Sequence, residues 1–142
     1  MKKKTIDWEA RWRELEALCD KYRSNMTGFN ILVPCSGGKD GSYVSYKLKH
    51  ELGMTPLTLT IAIPEPLEVG EQNLKNFIGS GYDHILVTPN PHITDAISKK
   101  VFIKQGMPLF GWQLILQTAI LRVAMNFKIP LIMYGEDGEV EY

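Results

Sequence analysis

The sequence predicts an α/β domain built as a doubly wound parallel sheet, and three observations carry that expectation. Short β-rich apolar runs alternate with amphipathic stretches of helical period across residues 28–142. Glycine or proline stands at nearly every junction between them. A glycine-rich segment, PCSGGKDGS at 34–42, falls between the first β-rich run and the helix after it. Open parallel sheets receive their ligands at that position.

Each element follows from local chemistry. Asp7 is a helix N-cap, and Trp8, Trp12, Leu15, Cys19 and Tyr22 recur at spacings of four, three, four and three, drawing one apolar stripe. An N-terminal amphipathic helix and linker over 1–27 are therefore expected to lie against a body at 28–142. Gly28 closes the linker, and Phe29, Asn30, Ile31, Leu32 and Val33 form a strand that stops at Pro34. Residues 42–52 read as a helix closed by Gly53, and Pro56 opens a second strand over 57–63, bounded by Pro64.

The unit then repeats. An amphipathic helix over 68–80, carried by Val69, Leu74, Phe77 and Ile78, stops at Gly81 and leads into a third strand over 84–88. Asn90 as N-cap with Pro91 at the first helical position predicts a helix over 91–105, ended by Gly106. The helix over 110–127 is apolar on almost every side and is expected to be largely buried. A fourth strand over 129–134 precedes an acidic turn and is placed beside the first strand. With eight residues after Tyr134, the sheet is expected to be truncated there, leaving an apolar edge open to self-association.

Bulk properties narrow the function classes. The 142 residues are one domain's worth, and 44% apolar with 23% charged side chains is a globular composition. Sixteen basic residues balance sixteen acidic ones, so no bulk positive field exists to gather nucleic acid or anionic lipid. Cys19 and Cys35 form neither a disulfide framework nor a metal-binding pattern, which fits a cytoplasmic setting. The basic start at 2–4 is followed by Asp7, Glu9, Arg11 and Arg13 where a signal peptide needs an apolar stretch. No run approaches the roughly 18 apolar residues of a membrane span.

The glycine-rich turn is suited to an anion of several phosphates. Gly37 and Gly38 let backbone N–H groups approach phosphate oxygens, and the following helix directs its positive dipole end at the same place. Ser36 and Ser42 add hydroxyl donors and Lys39 a cation. Neither the G-x-x-x-x-G-K-[ST] template nor the G-x-G-x-x-G spacing is met, which sets aside two other nucleotide sites. Asp40 is suited either to Mg²⁺ or to capping the helix. After the fourth strand, Gly135 permits backbone approach to a ligand, while Glu136 and Asp137 are metal or acceptor ligands or an ordinary acidic turn. Cys35 reads as a nucleophile or, more simply, as a small buried apolar residue.

The segment SGGKDGS resembles the SGGxDS signature of the PP-loop ATP pyrophosphatases, whose fold is adenine nucleotide alpha hydrolase-like and Rossmann-like. That resemblance implies ATP and Mg²⁺ as cofactors and cleavage between the α- and β-phosphates. It puts phosphates on Ser36, Gly37, Gly38, Lys39, Asp40, Gly41 and Ser42, catalysis on Lys39 and Asp40, and adenine at Ile61 and Ile63. Gly41 stands where the family usually has serine, so either Ser42 takes the serine's role or the glycine marks a subfamily.

A longer resemblance runs through VPCSGGKDGSYV, GEQNLKNF at 70–77, GYDHILVTPN at 81–90 and IPLIMYGEDGEVEY at 129–142. These segments are similar to the N-acetyl sugar amidotransferases of lipopolysaccharide and related surface sugar biosynthesis, which are longer at both ends. The resemblance implies a nucleotide sugar substrate and ammonia from a glutaminase partner, while the residues' own chemistry and position put metal at Asp40 and Asp137 and substrate at Glu136. A tRNA-thiolating enzyme of the same superfamily is the competing enzyme reading, weakened by the lack of basic surface and redox or metal cysteines. A non-catalytic ATP-binding fragment is the other.

Overall fold

The computed structural model describes residues 6–23, 28–63 and 65–136. Four strands, β1 (Ile31–Pro34), β2 (Pro56–Ile61), β3 (Asp83–Val87) and β4 (Leu131–Ile132), form one sheet in the order β3-β2-β1-β4. All neighbouring pairs are parallel, so every connection must cross over a face of the sheet. The fold is the expected α/β architecture, with β4 beside β1.

The sequence of crossovers decides which face each helix covers. Helices α1 (Trp8–Arg23) and α2 (Lys39–Tyr46), the latter continued by a π-type turn at Lys47–Glu51, lie on one face. There Cys19, Leu48, Leu52 and Met54 pack against Ile31 and Val33 of β1. The chain then steps through α3 (Glu68–Gly79) to β3 and returns through α4 (Pro91–Gln105) and α5 (Phe110–Asn126). On the return, right-handed connection requires the opposite face. There Ile120 and Ala124 of α5 close over Leu32, Leu57, Leu59 and Ile61. Alternate residues of β1 thus feed two separate cores, whereas Leu57, Leu59 and Ile61 of β2 all feed the second.

Several boundaries differ from expectation for identifiable reasons. β1 begins two residues late because Asn30 is buried as a clasp, its Oδ1 accepting the Thr55 amide at 2.8 Å and its own amide donating to the Thr55 carbonyl. β2 stops at Ile61 rather than at 63, and Ile63 lies beyond the ladder, 48% exposed. β4 is far shorter than 129–134. Pro130 has no amide to give, and the Ile129 amide donates to the Ala124 carbonyl in the cap of α5. Among the described residues it is a sheet edge, and the Met133 amide extends its ladder by one bond to the Leu32 carbonyl.

Two expectations about burial are corrected. Only Gly111, Ile120 and Ala124 of α5 are buried, whereas Leu114, Leu121 and Met125 are exposed, because the helix meets the sheet along one stripe. In α1 the apolar stripe docks only from Leu15 onward, leaving Trp8 72% exposed while Cys19 is fully enclosed. No helix of the described residues is long and apolar enough to cross a membrane.

Candidate functional site

The site grows from the point where β1 runs out. The Cys35 amide donates to the Leu59 carbonyl at 2.9 Å, and the Cys35 carbonyl accepts the Thr60 hydroxyl, which anchors the root of the turn to β2. Beyond it the two adjacent glycines do different work. Gly37 has φ +81, and a Cβ there would lie 2.6 Å from the Leu74 main-chain nitrogen in α3. Its amide points back to Cys35 Sγ at 3.4 Å. Gly37 is therefore the glycine that lets the turn fold and pack.

Gly38 has φ −72 and ψ 169, an extended conformation open to any residue, and a Cβ there would meet only Ser36 Oγ at 3.4 Å. Its missing side chain keeps the space above the turn open. α2 starts immediately after it, at Lys39 rather than at 42, with no side chain capping the helix. Asp40 is thus a first-turn residue and not the cap. The amides of that turn have no partner within the helix and give its end a partial positive charge.

The turn after β4 closes the other side. A Cβ on Gly135 would sit 2.8 Å from both the Asp40 carbonyl carbon and the Gly41 nitrogen, so the main chain there lies directly on the first turn of α2. Glu136 is carried to the same place. Burial, and then the Glu136 carboxylate, pushes the neighbouring Tyr134 phenol up. Gly41 is itself confined, because an added Cβ would be 3.0 Å from both Cα and Sγ of Cys35. A serine here would need Cys35 to give way by a few tenths of an ångström.

Between these walls is a cleft of about 530 Å³, within the usual range of small-molecule sites. Its lining includes a polar set, Ser36, Gly38, Asp40, Gly41, Gly135 and Glu136. It also includes an apolar set, Leu59, Ile61, Leu86, Trp112, Leu116 and Ile120. Strand alternation supplies a further main-chain feature. Leu59 presents its carbonyl toward β1, so the amide and carbonyl of Ile61, two residues on, face the same side, where β1 has already ended.

No protein-family model matches the chain, and no curated protein matches it. Solved structures do. The chain is similar in fold to an NMN synthetase. That protein, from Francisella tularensis, superposes with a TM-score of 0.61 at 14% identity over 89% of this chain. A predicted subunit of tRNA methyltransferase from Methanocaldococcus jannaschii superposes with a TM-score of 0.53 at 24% identity over 80%. This chain spans 54% and 57% of their respective lengths. The likeness establishes the adenine nucleotide alpha hydrolase-like fold seen in the strand order.

Within that fold the residues singled out by sequence separate into two groups. Ser36, Gly38, Asp40, Gly41, Ile61, Ile63, Gly135 and Glu136 border the cleft. Gly37, Lys39 and Ser42 do not. Lys39 is an exposed first residue of α2, and Ser42 is half-buried with its hydroxyl 3.9 Å from Cys35 Sγ. Asp137 lies outside the described residues. Among the described residues, no three His, Cys, Asp or Glu side chains gather as a metal site.

The structure also adds residues to the site. Glu71 and Leu74 of α3 border the cleft, which gives the GEQNL stretch a location. Trp112 and Tyr134 border it as well, and nothing in their local sequence signalled this.

Proposed function

We propose that this chain is the nucleotide-binding part of a PP-loop ATP pyrophosphatase-type enzyme that forms AMP and pyrophosphate. The observation that carries the reading is the close stacking of Gly135 on Asp40 and Gly41, next to an open Gly38. It gives a main-chain cradle at a helix N-terminus, suited to linked phosphates. The SGGKDGS signature and the fold shared with an NMN synthetase support the same superfamily. ATP phosphates would rest on the turn at 36–42, and the Ile61 amide and carbonyl offer a donor and an acceptor to the edge of adenine.

In this reading an acceptor oxygen attacks the α-phosphorus. The bond from that phosphorus to the bridging oxygen breaks, and pyrophosphate leaves with the electron pair. Ammonia then displaces AMP from the adenylated acceptor. Asp40 at the cleft, with Lys39 reaching in from outside it at the start of α2, is assigned to the phosphate chemistry, Asp40 and Asp137 to Mg²⁺, and Glu136 to the acceptor. The ion would offset negative charge on the departing pyrophosphate.

The finer assignment is an amidotransferase acting on an N-acetylated nucleotide sugar, fed with ammonia by a glutaminase subunit in the cytoplasm. The four segments at 33–44, 70–77, 81–90 and 129–142 support it, and the balanced charge weighs against a tRNA substrate. The edge at β4 is the proposed surface for self-association.

The test combines turnover with binding. ATP, Mg²⁺, ammonium and diacetamido nucleotide sugars should yield AMP and pyrophosphate, and ADP as product would reject the class. Calorimetry with a non-hydrolysable ATP analogue should show binding that Gly38→Val abolishes. Binding with no turnover on any acceptor would favour the non-catalytic reading.

A further inference from the structure

Helix α5 delivers to the cleft an aromatic side chain that the phosphate chemistry does not use. Its placement is fixed from two directions. Gly111, the second residue of α5, is buried so tightly on α4 that a Cβ would lie 2.6 Å from the Thr94 carbonyl oxygen and 2.8 Å from Ser98 Oγ. The Gly111 amide donates to Ser98 Oγ at 3.3 Å. The main chain of Trp112 is therefore held against α4, while its indole Nε1–H donates to the Ala62 carbonyl at 3.3 Å, one residue past the end of β2.

That bond uses the single polar group the indole has. What remains of the half-buried ring is apolar aromatic surface, and it borders the cleft together with Ile61, Leu86 and Leu116. The same bond holds the indole beside the main chain just after Ile61, whose amide and carbonyl face the space beyond β1. A fixed aromatic ring beside a main-chain donor and acceptor suits a planar heteroaromatic base. A flat, partly polar ring would gain stacking area from the indole and edge recognition from Ile61. A sugar would leave its hydroxyls against an apolar wall, unpaired.

We propose that Trp112 is the base-contacting residue of the cleft and sets its preference for a nucleotide over a bare polyphosphate. This rests on the reading of the cleft as an ATP site. Calorimetry measures a non-hydrolysable ATP analogue and inorganic tripolyphosphate against the unaltered protein, Trp112→Leu and Trp112→Phe. Trp112→Leu should weaken the analogue about tenfold or more, the range found when a base loses its aromatic partner. Tripolyphosphate binding should change less than about twofold, and Trp112→Phe should recover most of the analogue's affinity.

Trp8→Phe and Trp12→Phe together leave Trp112 as the one indole in the sequence. Its emission should then respond to the analogue and stay constant with tripolyphosphate. If Trp112→Leu binds the analogue as tightly as the unaltered protein, Trp112 is not the base contact while the ATP reading stands. Equal weakening of both ligands would assign Trp112 to the fold and overturn the proposal. An unaltered protein that binds no nucleotide overturns the ATP reading and this proposal with it.

Discussion

Gly37 and Leu74 stand so close that a Cβ on the first would fall 2.6 Å from the main-chain nitrogen of the second. The contact joins the glycine-rich turn to α3, and backbone on both sides leaves nothing flexible to yield. Gly38, its neighbour, has no such contact.

The pair should therefore separate stability from binding. Gly37→Ala combines a left-handed φ of +81 with a backbone clash and should cost about 2–4 kcal/mol of folding stability. Gly38→Ala should stay within about 1 kcal/mol of the unaltered protein. Urea unfolding followed by circular dichroism measures both. Equal losses would mean that the two glycines share one role.

Gly41→Ser restores the residue usual in the SGGxDS signature, and the structure predicts that the restoration is unfavourable. The new Cβ would press on Cα of Cys35 at 3.0 Å, and main chain can give way only slightly. A loss of about 1 kcal/mol is expected, and Cys35→Ala in the same chain should relieve only part of it. Unfolding midpoints of the single and double variants decide the matter.

His84 makes stability depend on pH. The Thr58 hydroxyl donates to the Asp83 carbonyl at 2.8 Å, so the 2.9 Å contact with His84 is a donation from Nδ1–H to Thr58. Nε2 then carries a lone pair in a site where it has no partner among the described residues, and burial lowers the pKa below its ordinary 6.5. Above that ordinary value neither state holds the proton, and stability is complete. As pH falls through 6.5, the unfolded chain takes up a proton that the folded chain resists, so stability declines. Urea midpoints between neutral and mildly acidic pH should fall, and His84→Asn should flatten that part of the curve. An unchanged slope in the variant would exclude His84 as the source.

Lys128 closes α5 in the left-handed region, with φ 56. The Ile129 amide reaches the Ala124 carbonyl and the Lys128 amide reaches Met125, the bonding pattern of a helix end that favours glycine. Lys128→Gly should therefore stabilise the protein by about 0.5–1 kcal/mol, visible as a higher urea midpoint. A lower midpoint would show that the lysine side chain contributes more than its backbone strain removes.

The order of elements was legible because each junction carries a local signal. Asn90 and Pro91 start α4 and Gly106 ends it, as read from sequence. The start of α2 was misplaced for the opposite reason. Gly38 caps the helix with no side-chain bond, so Gly-Gly-Lys-Asp-Gly reads as turn throughout, although its last three residues are helical. The exposed side of α5 and the short β4 were hidden because burial and ladder length depend on neighbouring elements. The polar lining of the cleft could be foreseen from glycines and hydroxyls, whereas Trp112 arrives only through the packing of Gly111 on α4.

The first helix bears on where this protein can be cut. Cys19 is wholly enclosed between Ile31, Val33 and Leu48, and the Arg23 guanidinium donates to the Leu52 carbonyl at the far end of the same layer. Removing the segment before Phe29 would therefore uncover part of the apolar layer beneath β1, leaving Leu48, Leu52 and Met54 to cover it without Cys19. A shortened version beginning at the first strand would be a different solute, sticky and poorly shaped, even though every residue of the cleft remained in it.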